Sequence, residues 1–276
     1  MHRIFSNMLA VFIIASLAAC DRTTAVSDTP TTLYGTPVAV GNGHVRTYVS
    51  FDDPNSGAPS ELGVVFDEHA LDGLPAPGAD PSNPMNMYSY ILPLPSNTPQ
   101  PFQLMELDWN ASGHVPAGVY DKPHFDFHFY SISLAERNAI MPSDPNFMAE
   151  ASNFPPAPMV PPSYAVLPPA PAPVPAVPMM GVHWTNVTSP EVQPPTSPNH
   201  HDFTRTFIYG SWNGKFTFVE PMITLAYLQS HPDEHISISV PSSYAAPGFY
   251  PTAYRVSYDA ATKETRVALS DLVLRQ

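Results

Sequence analysis

The stretch His124-Phe125-Asp126-Phe127-His128-Phe129-Tyr130 decides the fold of this chain. Successive side chains of a β-strand point to opposite faces of the sheet. As a strand, the stretch places three phenylalanines on one face and two histidines, an aspartate and a tyrosine on the other. A surface strand does not need three phenylalanines, and an ordinary core strand does not carry two histidines and an aspartate. The sequence therefore predicts a strand with one face in the core and the other suited to binding.

A β-hairpin is predicted further along the chain. The run TRTFIYGSWNGKFTFVE (204–220) has two alternating halves around an Asn-Gly dipeptide, which favours a two-residue type I′ turn. Such a turn fixes the register, so Phe207 is expected opposite Glu220. A carboxylate on an aromatic face is costly unless it is paired or bound to a cation. The face predicted for Glu220 carries four aromatic residues, Phe207, Tyr209, Phe216 and Phe218.

Short strands between Pro- and Gly-rich turns recur along the chain, with two or three short helices among them. Ser133 is predicted to cap a helix over Leu134–Ile140, and Pro221 is predicted to start a helix over 222–230. The 36 prolines argue against an all-helical protein, because each removes a backbone donor. The sequence therefore predicts a mainly β fold, either an antiparallel sandwich or a barrel.

A Pro-rich segment separates the two halves of the pattern. Residues 142–178 contain 13 prolines and cannot form a central strand or a long helix. The segment is either a flexible linker or an extended strap that lies across a domain and docks through residues such as Tyr164. The chain of 276 residues is long enough for one large domain or two small ones.

The N-terminus resembles a bacterial lipoprotein signal. A basic start precedes a mostly apolar run that is too short to span a bilayer comfortably. Leu17-Ala18-Ala19-Cys20 resembles a lipobox, at which the chain is cut before the cysteine and the thiol is lipidated. The alternative is a plain secretory signal with a chance cysteine. The lipobox predicts a signal peptide over 1–19 and a polar tether over 20–33. The protein would then be anchored in the cell envelope and face the periplasm, and Asp21 favours the inner membrane.

Composition limits the partners. The formal net charge is −13, and only 13% of residues are charged. An acidic chain without a basic stripe is a poor candidate for nucleic-acid binding. The predicted partner is the membrane, through lipidated Cys20; a homo-oligomer is an open alternative, and the sequence names no protein partner.

Imidazole and carboxylate groups on one strand face suit Zn²⁺, Fe²⁺ or Mn²⁺, and Zn²⁺ is the first choice. Residues two apart on a strand lie roughly 6.6 Å apart along it, so two neighbours can share one ion but three cannot without a bulge. A mononuclear site would therefore take two ligands from this strand and import others. The candidate ligands are His124, Asp126, His128, His183 and Glu220, with His114, in a Gly/Pro turn, as a weaker candidate.

The alternative is a structural role for the same residues. Buried histidines can be satisfied by Asp126, Tyr130 and backbone groups in a polar network. The protein would then be a non-catalytic structural or interaction protein. The sequence contains no nucleophile elbow and no Gly-rich phosphate loop, so binding is favoured over catalysis. An enzymatic role would be metal-dependent hydrolysis.

Five segments carry a longer resemblance: GHVPAGVYDKPHFDFHFY (113–130), MGVHW (180–184), SPE (189–191), TFIYGSWNGKFTFVEPMIT (206–224) and GFYPTAYRVSYD (248–259). Together they resemble an uncharacterised family of exported bacterial proteins, a domain of unknown function. The resemblance runs from about Tyr34 to the C-terminus. It implies a single domain over 34–276, with 142–178 as an insertion, and it implies no reaction.

Overall fold

Two antiparallel sheets face each other in the computed structural model, which describes residues 30–53, 55–83, 85–167 and 174–276. The predicted signal peptide 1–19 and Cys20 lie outside these described residues, so the lipoprotein prediction stays a prediction. No helix in the described part of the chain has the length and apolar character needed to cross a membrane.

The described residues form short helices and many strands. The helices are α1 Leu134–Ala139, α2 Phe147–Ser152 and α3 Leu225–Gln229, with 3₁₀ turns at Ala157–Met159 and Pro190–Val192. The strands are β1 Thr31–Tyr34, β2 Val38–Val40, β3 Gly43–Phe51, β4 Glu61–Phe66, β5 Met87–Leu92, β6 Leu104–Asn110, β7 His124–Tyr130, β8 Tyr164–Val166, β9 Ala176–Val177, β10 Gly181–Asn186, β11 Arg205–Trp212, β12 Lys215–Thr224, β13 Asp233–Ser237, β14 Gly248–Tyr250, β15 Ala253–Asp259, β16 Glu264–Ser270 and β17 Val273–Arg275.

The strand order shows an open two-layer architecture. The first sheet has the order β1-β3-β4-β16-β15-β13, with β2 beside β3. The second has the order β5-β6-β7-β12-β11-β10-β8, with β9 beside β10, and β14 pairs with β17 in a separate ribbon. Each large sheet ends in an edge strand on both sides, so the described strands form a sandwich-like arrangement and not a closed barrel. The prediction of a mainly β, antiparallel fold is confirmed.

Strand β7 lies in the middle of the second sheet, and its apolar face fills the space between the layers. Phe125, Phe127 and Phe129 are each 0% exposed. Phe66 of β4, in the opposite sheet, packs edge-on against Phe125 and Phe127, with ring centroids 5.2 and 5.9 Å away. Full burial of each such ring contributes on the order of 2 kcal/mol. The predicted two-faced strand therefore joins the layers through its phenylalanines.

The predicted helix over 222–230 is wrong in its first part. Residues Pro221 to Thr224 continue β12, and α3 begins only at Leu225, where the Thr224 side chain caps the helix by accepting from the Tyr227 N–H. Pairing of Met222 with Asp126 in β7 outweighs the helix-start signal of the proline. The ladder between β12 and β7 breaks at Glu220 and Pro221 and resumes at Met222, because proline has no N–H to donate.

The Pro-rich segment contributes to the sheet edge. Its described residues include α2, and β8 and β9 both pair with β10. Tyr164 is buried, and its hydroxyl donates to the Phe207 carbonyl at 2.9 Å. At the other end, β1 pairs with β3 from Thr31 onward, so three residues that the sequence analysis placed in the tether over 20–33 belong to the sheet.

Candidate metal centre

The polar face of β7 points away from the sandwich core, yet it is buried. His124, Asp126 and His128 expose 3% of their surface or less. Two small apolar clusters cover this outer face, one containing Tyr120 and Phe203, the other packed around Tyr130. Strand β6 adds a row of polar partners: Asn110 opposite His124, Asp108 opposite Asp126 and Glu106 opposite His128.

A β-bulge in the β11–β12 hairpin changes the predicted register. Ser211 pairs with Phe216, as the two-residue turn requires, but Gly210 pairs with Phe218. Thr217 is therefore an extra residue in β12, and every pair beyond it is shifted by one position. The side chains of β12 after the bulge consequently point to the faces opposite to those expected from simple alternation.

The bulge brings Glu220 to the outer face. Glu220 pairs with Ile208, so the prediction that it lies opposite Phe207 is wrong. The predicted aromatic face is also wrong for three of its four members: Phe207, Tyr209 and Phe216 pack in the core, and only Phe218 shares the face of Glu220. The carboxylate therefore meets the polar side of β7 rather than the sandwich interior.

Gly210 provides the space for this arrangement. A Cβ atom at this position would lie 1.9 Å from the ring of Phe218. That ring packs against two candidate ligands, with centroids 5.0 Å from His128 and 5.3 Å from His183. Gly210 thus leaves room for an aromatic ring that contacts imidazoles from β7 and β10, two strands that are separated in the sheet by β12 and β11.

Three donors converge at one end of the polar face, and we call them the 128 group: His128, His183 and Glu220. The Glu220 carboxylate lies between the two imidazoles, with its Oε1 3.4 Å from His128 Nε2 and its Oε2 3.7 Å from His183 Nε2. Two donors that share a tetrahedral Zn²⁺ at about 2.0–2.1 Å stand roughly 3.3 Å apart. The spacing therefore fits one small ion held by two imidazoles and a carboxylate.

Asp108 contacts the His128 ring of the 128 group on the side opposite to Glu220. Its Oδ2 lies 3.2 Å from His128 Nδ1, and both residues are 0% exposed. A carboxylate at the far nitrogen of an imidazole orients the ring and raises its basicity as a ligand. His128 Nε2 and Glu220 Oε2 are buried and make no hydrogen bond within the described part of the chain. The other nitrogen of His128 and both Asp108 oxygens share this property among the described residues, so the group can take a water or a cation as a further partner.

Burial and neighbouring charges set the protonation of the 128 group. Desolvation raises the pKa of Glu220 to about 8. Burial and the charge of His128 lower the pKa of His183 to about 3, so this imidazole is neutral and able to coordinate. Burial alone would lower the pKa of His128, but the carboxylates of Glu220 and Asp108 raise it to about 10. In the metal-free chain His128 is therefore the protonated imidazole of the group and His183 the neutral one.

A second set of donors lies at the other end of β7, and we call it the 124 group: His114, His124 and Asp126. The His124 Nε2 lies 3.0 Å from Asp126 Oδ1, and His114 Nε2 lies 3.3 Å from Asp126 Oδ2. Each Nδ1 is within hydrogen-bond distance of a backbone carbonyl, Lys122 O at 2.6 Å and Val115 O at 2.7 Å. With Nδ1 as the donor, each Nε2 is left free to bind a cation.

Electrostatics also favour a charged carboxylate in the 124 group. Burial would raise the pKa of Asp126, but His124 and His114 hold it well below its ordinary value. The Asn110 side-chain amide donates to Asp126 Oδ2 at 2.7 Å. Burial would lower the pKa of His114, whereas Asp126 raises it to about 9. Asp126 is therefore an ionised anchor between two imidazoles.

Both groups reach solvent through one histidine each. The side chain of His114 is 31% exposed and that of His183 is 28% exposed, whereas their partners in each group expose 4% or less. An ion could therefore enter each group from the outer face of the sheet and keep a coordination position for water or another ligand.

The structure places all six predicted ligands on one face of the sheet but does not bring them to one point. His128 joins His183 and Glu220, whereas His124 and Asp126 join His114, which the sequence had ranked as the weaker candidate. Asp108 and Asn110 were not among the residues predicted from the sequence. The signal was present, because LMELDWN (104–110) alternates polar and apolar residues with the same period of two as β7.

A buried ion pair neutralises Glu106, one of the two carboxylates on β6. Arg137 of α1 donates to Glu106, and both side chains are almost fully buried. The helix that presents Arg137 has the predicted capping box, in which Ser133 and Glu136 satisfy each other's backbone N–H groups. The helix thus neutralises Glu106 and leaves Asp108, Asp126 and Glu220 for the two histidine groups.

Comparison with known proteins gives one partial match. A family model described as TTHB210-like, for the hypothetical protein TTHB210, matches residues 55–109. The matched range covers β4 and β5 and nearly all of β6, including Asp108, and the chain is similar there to an uncharacterised family. The motifs that suggested exported proteins begin after residue 109, so export stays a prediction. No curated protein and no solved structure matches the chain.

Proposed function

We propose that this protein binds a divalent transition-metal ion, with Zn²⁺ as the first choice, through the 128 group. The observation that carries the proposal is the convergence of two imidazoles and a carboxylate, with buried atoms of His128 and Glu220 that make no hydrogen bond to any described residue. Two histidines and one carboxylate leave a coordination position open, as in catalytic zinc sites. Soft thiolate ligands are not needed for Zn²⁺, Fe²⁺ or Mn²⁺ at such a site.

The proposed setting is the bacterial cell envelope. Lipidation of Cys20 would anchor the domain to the membrane and present it to the periplasm, with Asp21 favouring the inner membrane. The proposed role there is metal-dependent binding of a ligand. A hydrolytic role would use a water in the open position, activated by the ion, with a neighbouring carboxylate as base.

One observation favours a second candidate, a structural network without metal. His128 lies between the carboxyl groups of Asp108 and Glu220, and its raised pKa makes it an imidazolium in the metal-free chain. A paired buried charge of this kind can specify a unique packing. The protein would then act as a non-catalytic structural or interaction protein of the envelope.

Metal analysis of native, tag-free protein separates the two candidates. The metal site predicts about one or more ions per chain, and the structural network predicts fewer than about 0.2 ion per chain after native purification. Glu220→Gln should remove the ion from the 128 group and leave the protein folded, whereas the exposed His69→Ala control should retain it. A folded Glu220→Gln protein with unchanged metal content and affinity would contradict the proposed site.

A further inference from the structure

We infer that the 124 group is a second metal site, so that one chain holds two divalent transition-metal ions that share no ligand. The inference extends the proposed function, which concerns the 128 group alone. It is carried by the geometry of His114, His124 and Asp126 and by the distribution of charge along β6 and β7.

The donors of the 124 group are spaced for one ion. Its two nitrogen–oxygen distances, 3.0 Å from His124 Nε2 and 3.3 Å from His114 Nε2 to the two oxygens of Asp126, are close to the roughly 3.3 Å expected across a tetrahedral ion. His124 Nε2 and Asp126 Oδ1 are buried and make no hydrogen bond within the described residues. These two atoms therefore face each other at a position that a cation would satisfy.

The supporting contacts of the 124 group belong to it alone. The carbonyls of Lys122 and Val115 hold the Nδ1 atoms of the two imidazoles, and Asn110 donates to Asp126. The 128 group uses a different support, Asp108. Two independent sets of orienting groups indicate two sites rather than one site with spare ligands.

The carboxylates argue against a bridged pair of ions. Asp126 places both oxygens within the 124 group, and Glu220 places both within the 128 group. A two-metal catalytic centre requires ions about 3.5–4 Å apart. Asp126 and His128 are two residues apart on β7, a separation of roughly 6.6 Å along the strand. The geometry therefore points to two mononuclear sites.

Charge supplies an independent argument for a second cation. Four residues in the described strands of this sheet carry a buried carboxyl group on this face: Glu106, Asp108, Asp126 and Glu220. Among the described residues, Arg137 is the permanent cation that pairs with them, and it contacts Glu106. Asp108 and Asp126 lie directly opposite each other on neighbouring strands, where like charges are destabilising. An ion beside Glu220 is bound to neither member of this opposed pair, whereas an ion bound to Asp126 adds a positive charge next to both.

The decisive experiment is the number of Zn²⁺ ions per chain in native mass spectra of wild-type and single-site variants after Zn²⁺ loading. We expect two ions in the wild type, one in His124→Ala and in His114→Ala, one in Glu220→Gln, and none in a His124→Ala/Glu220→Gln double variant. His114 is partly exposed, so His114→Ala keeps the test available if His124→Ala does not fold. His69→Ala should hold two ions.

The outcomes separate the inference from the proposed function. One ion that is lost in Glu220→Gln and kept in His114→Ala would overturn the second site and leave the 128 site standing. One ion that is lost only in the 124-group variants would overturn both statements, as would no ion in any protein. One ion that is lost in either set of variants would show a single shared site and overturn the inference.

A magnetic measurement tests the statement that the ions share no ligand. In protein loaded with Cu²⁺, two mononuclear ions should give an electron paramagnetic resonance signal that integrates to two spins per chain. A bridged pair would couple and give a much smaller integral at the same copper content. A coupled signal would overturn the inference even if two ions are bound.

Discussion

At the scale of one residue, Glu220 shows how burial links metal binding to the release of a proton. Desolvation raises its pKa to about 8, so near pH 7 the metal-free side chain is largely protonated. A bound cation removes that proton and replaces it with a stronger electrostatic partner. The same argument applies to each imidazole whose pKa is raised by a neighbouring carboxylate. Proton release and metal binding are therefore one event at these residues.

The pH dependence of stability follows from two histidines. His114 and His128 have pKa values of about 9 and about 10 in the folded, metal-free chain. Both values lie above the ordinary histidine value of about 6.5, so the folded chain holds more protons than the unfolded chain between these limits. Its free energy of unfolding should therefore fall as pH rises from about 6.5 to 9. Zn²⁺ needs deprotonated ligands, so its stabilising effect should grow over the same range.

Thermal melting with and without Zn²⁺ at a series of pH values measures both trends. A His128→Gln variant removes one titrating group, so its metal-free stability should depend less steeply on pH. The raised pKa values of the two histidines would be contradicted if the metal-free melting temperature rises with pH across this range. They would also be contradicted if the increase in melting temperature caused by Zn²⁺ becomes smaller as pH rises.

Asp108 is a positioning residue whose effect can be isolated. Asp108→Asn should weaken Zn²⁺ binding at the 128 group about 10–100-fold, because the His128 ring loses its carboxylate partner. The 124 group should change little, since Asn110 and the carbonyls of Lys122 and Val115 hold its donors and Asp108 does not. Zinc titration of Asp108→Asn combined with His114→Ala measures the 128 group alone, with His114→Ala as the reference. Equal affinity in the two proteins would exclude this role.

At the scale of secondary structure, the bulge at Thr217 decides which residues can meet. Simple alternation predicts the Asn-Gly turn and its first pairs correctly, because those depend only on local turn geometry. It fails beyond Ser211, because a bulge depends on packing against distant strands. One local signal was available: Gly210 lies inside a strand, and glycine at such a position often marks a bulge or a close approach.

Gly210→Ala tests this part of the structure. The new methyl group would collide with the Phe218 ring, so we expect a loss of about 1–3 kcal/mol in the free energy of unfolding. Weaker metal binding at the 128 group should accompany it, since Phe218 contacts both imidazoles. In a Phe218→Leu background the same substitution should cost clearly less. Urea unfolding of the four proteins of this cycle gives the comparison, and additive effects would refute the proposed contact.

Helix α1 contributes the side chain of Arg137 to the buried polar face of the sheet. Arg137→Met removes the partner of Glu106 and leaves a buried carboxylate uncompensated, which should cost about 3–5 kcal/mol. The double variant Arg137→Met/Glu106→Gln should recover most of this loss, because the remaining amide carries no charge. Urea unfolding measures both proteins. If the double variant is as unstable as the single one, packing of Arg137 rather than its charge is responsible.

At the scale of the whole molecule, the sequence predicts the layered β fold and the face of β7 well. The reason is that the period of two in HFDFHFY is local and strong. The division of the ligands into two donor groups could not be predicted from this period. It depends on the register of β7 with β6 and β12 and on where the loop before β7 places His114. These are contacts between distant parts of the chain, which a periodic pattern does not encode.

The proposed anchor can be tested on the intact protein in bacteria. Wild-type protein should accompany the membrane fraction and incorporate labelled palmitate, whereas Cys20→Ala should do neither. The reason is that several acyl chains on one residue give stable attachment without a spanning helix. Asp21→Ser keeps the cysteine and should stay lipidated, which makes it the matched control. Wild-type protein without lipid in the soluble fraction would contradict the anchor.

The pairing of β8 and β9 with β10 has a consequence for aggregation. An uncovered β10 would present a row of free N–H and C=O groups to strands of other molecules. The covering strands are only three and two residues long, and the sequence between them is rich in proline, which has no N–H to donate. Such an edge is a poor template for further strand addition. The Pro-rich segment thus protects a histidine-bearing sheet from fibril-like association at high concentration.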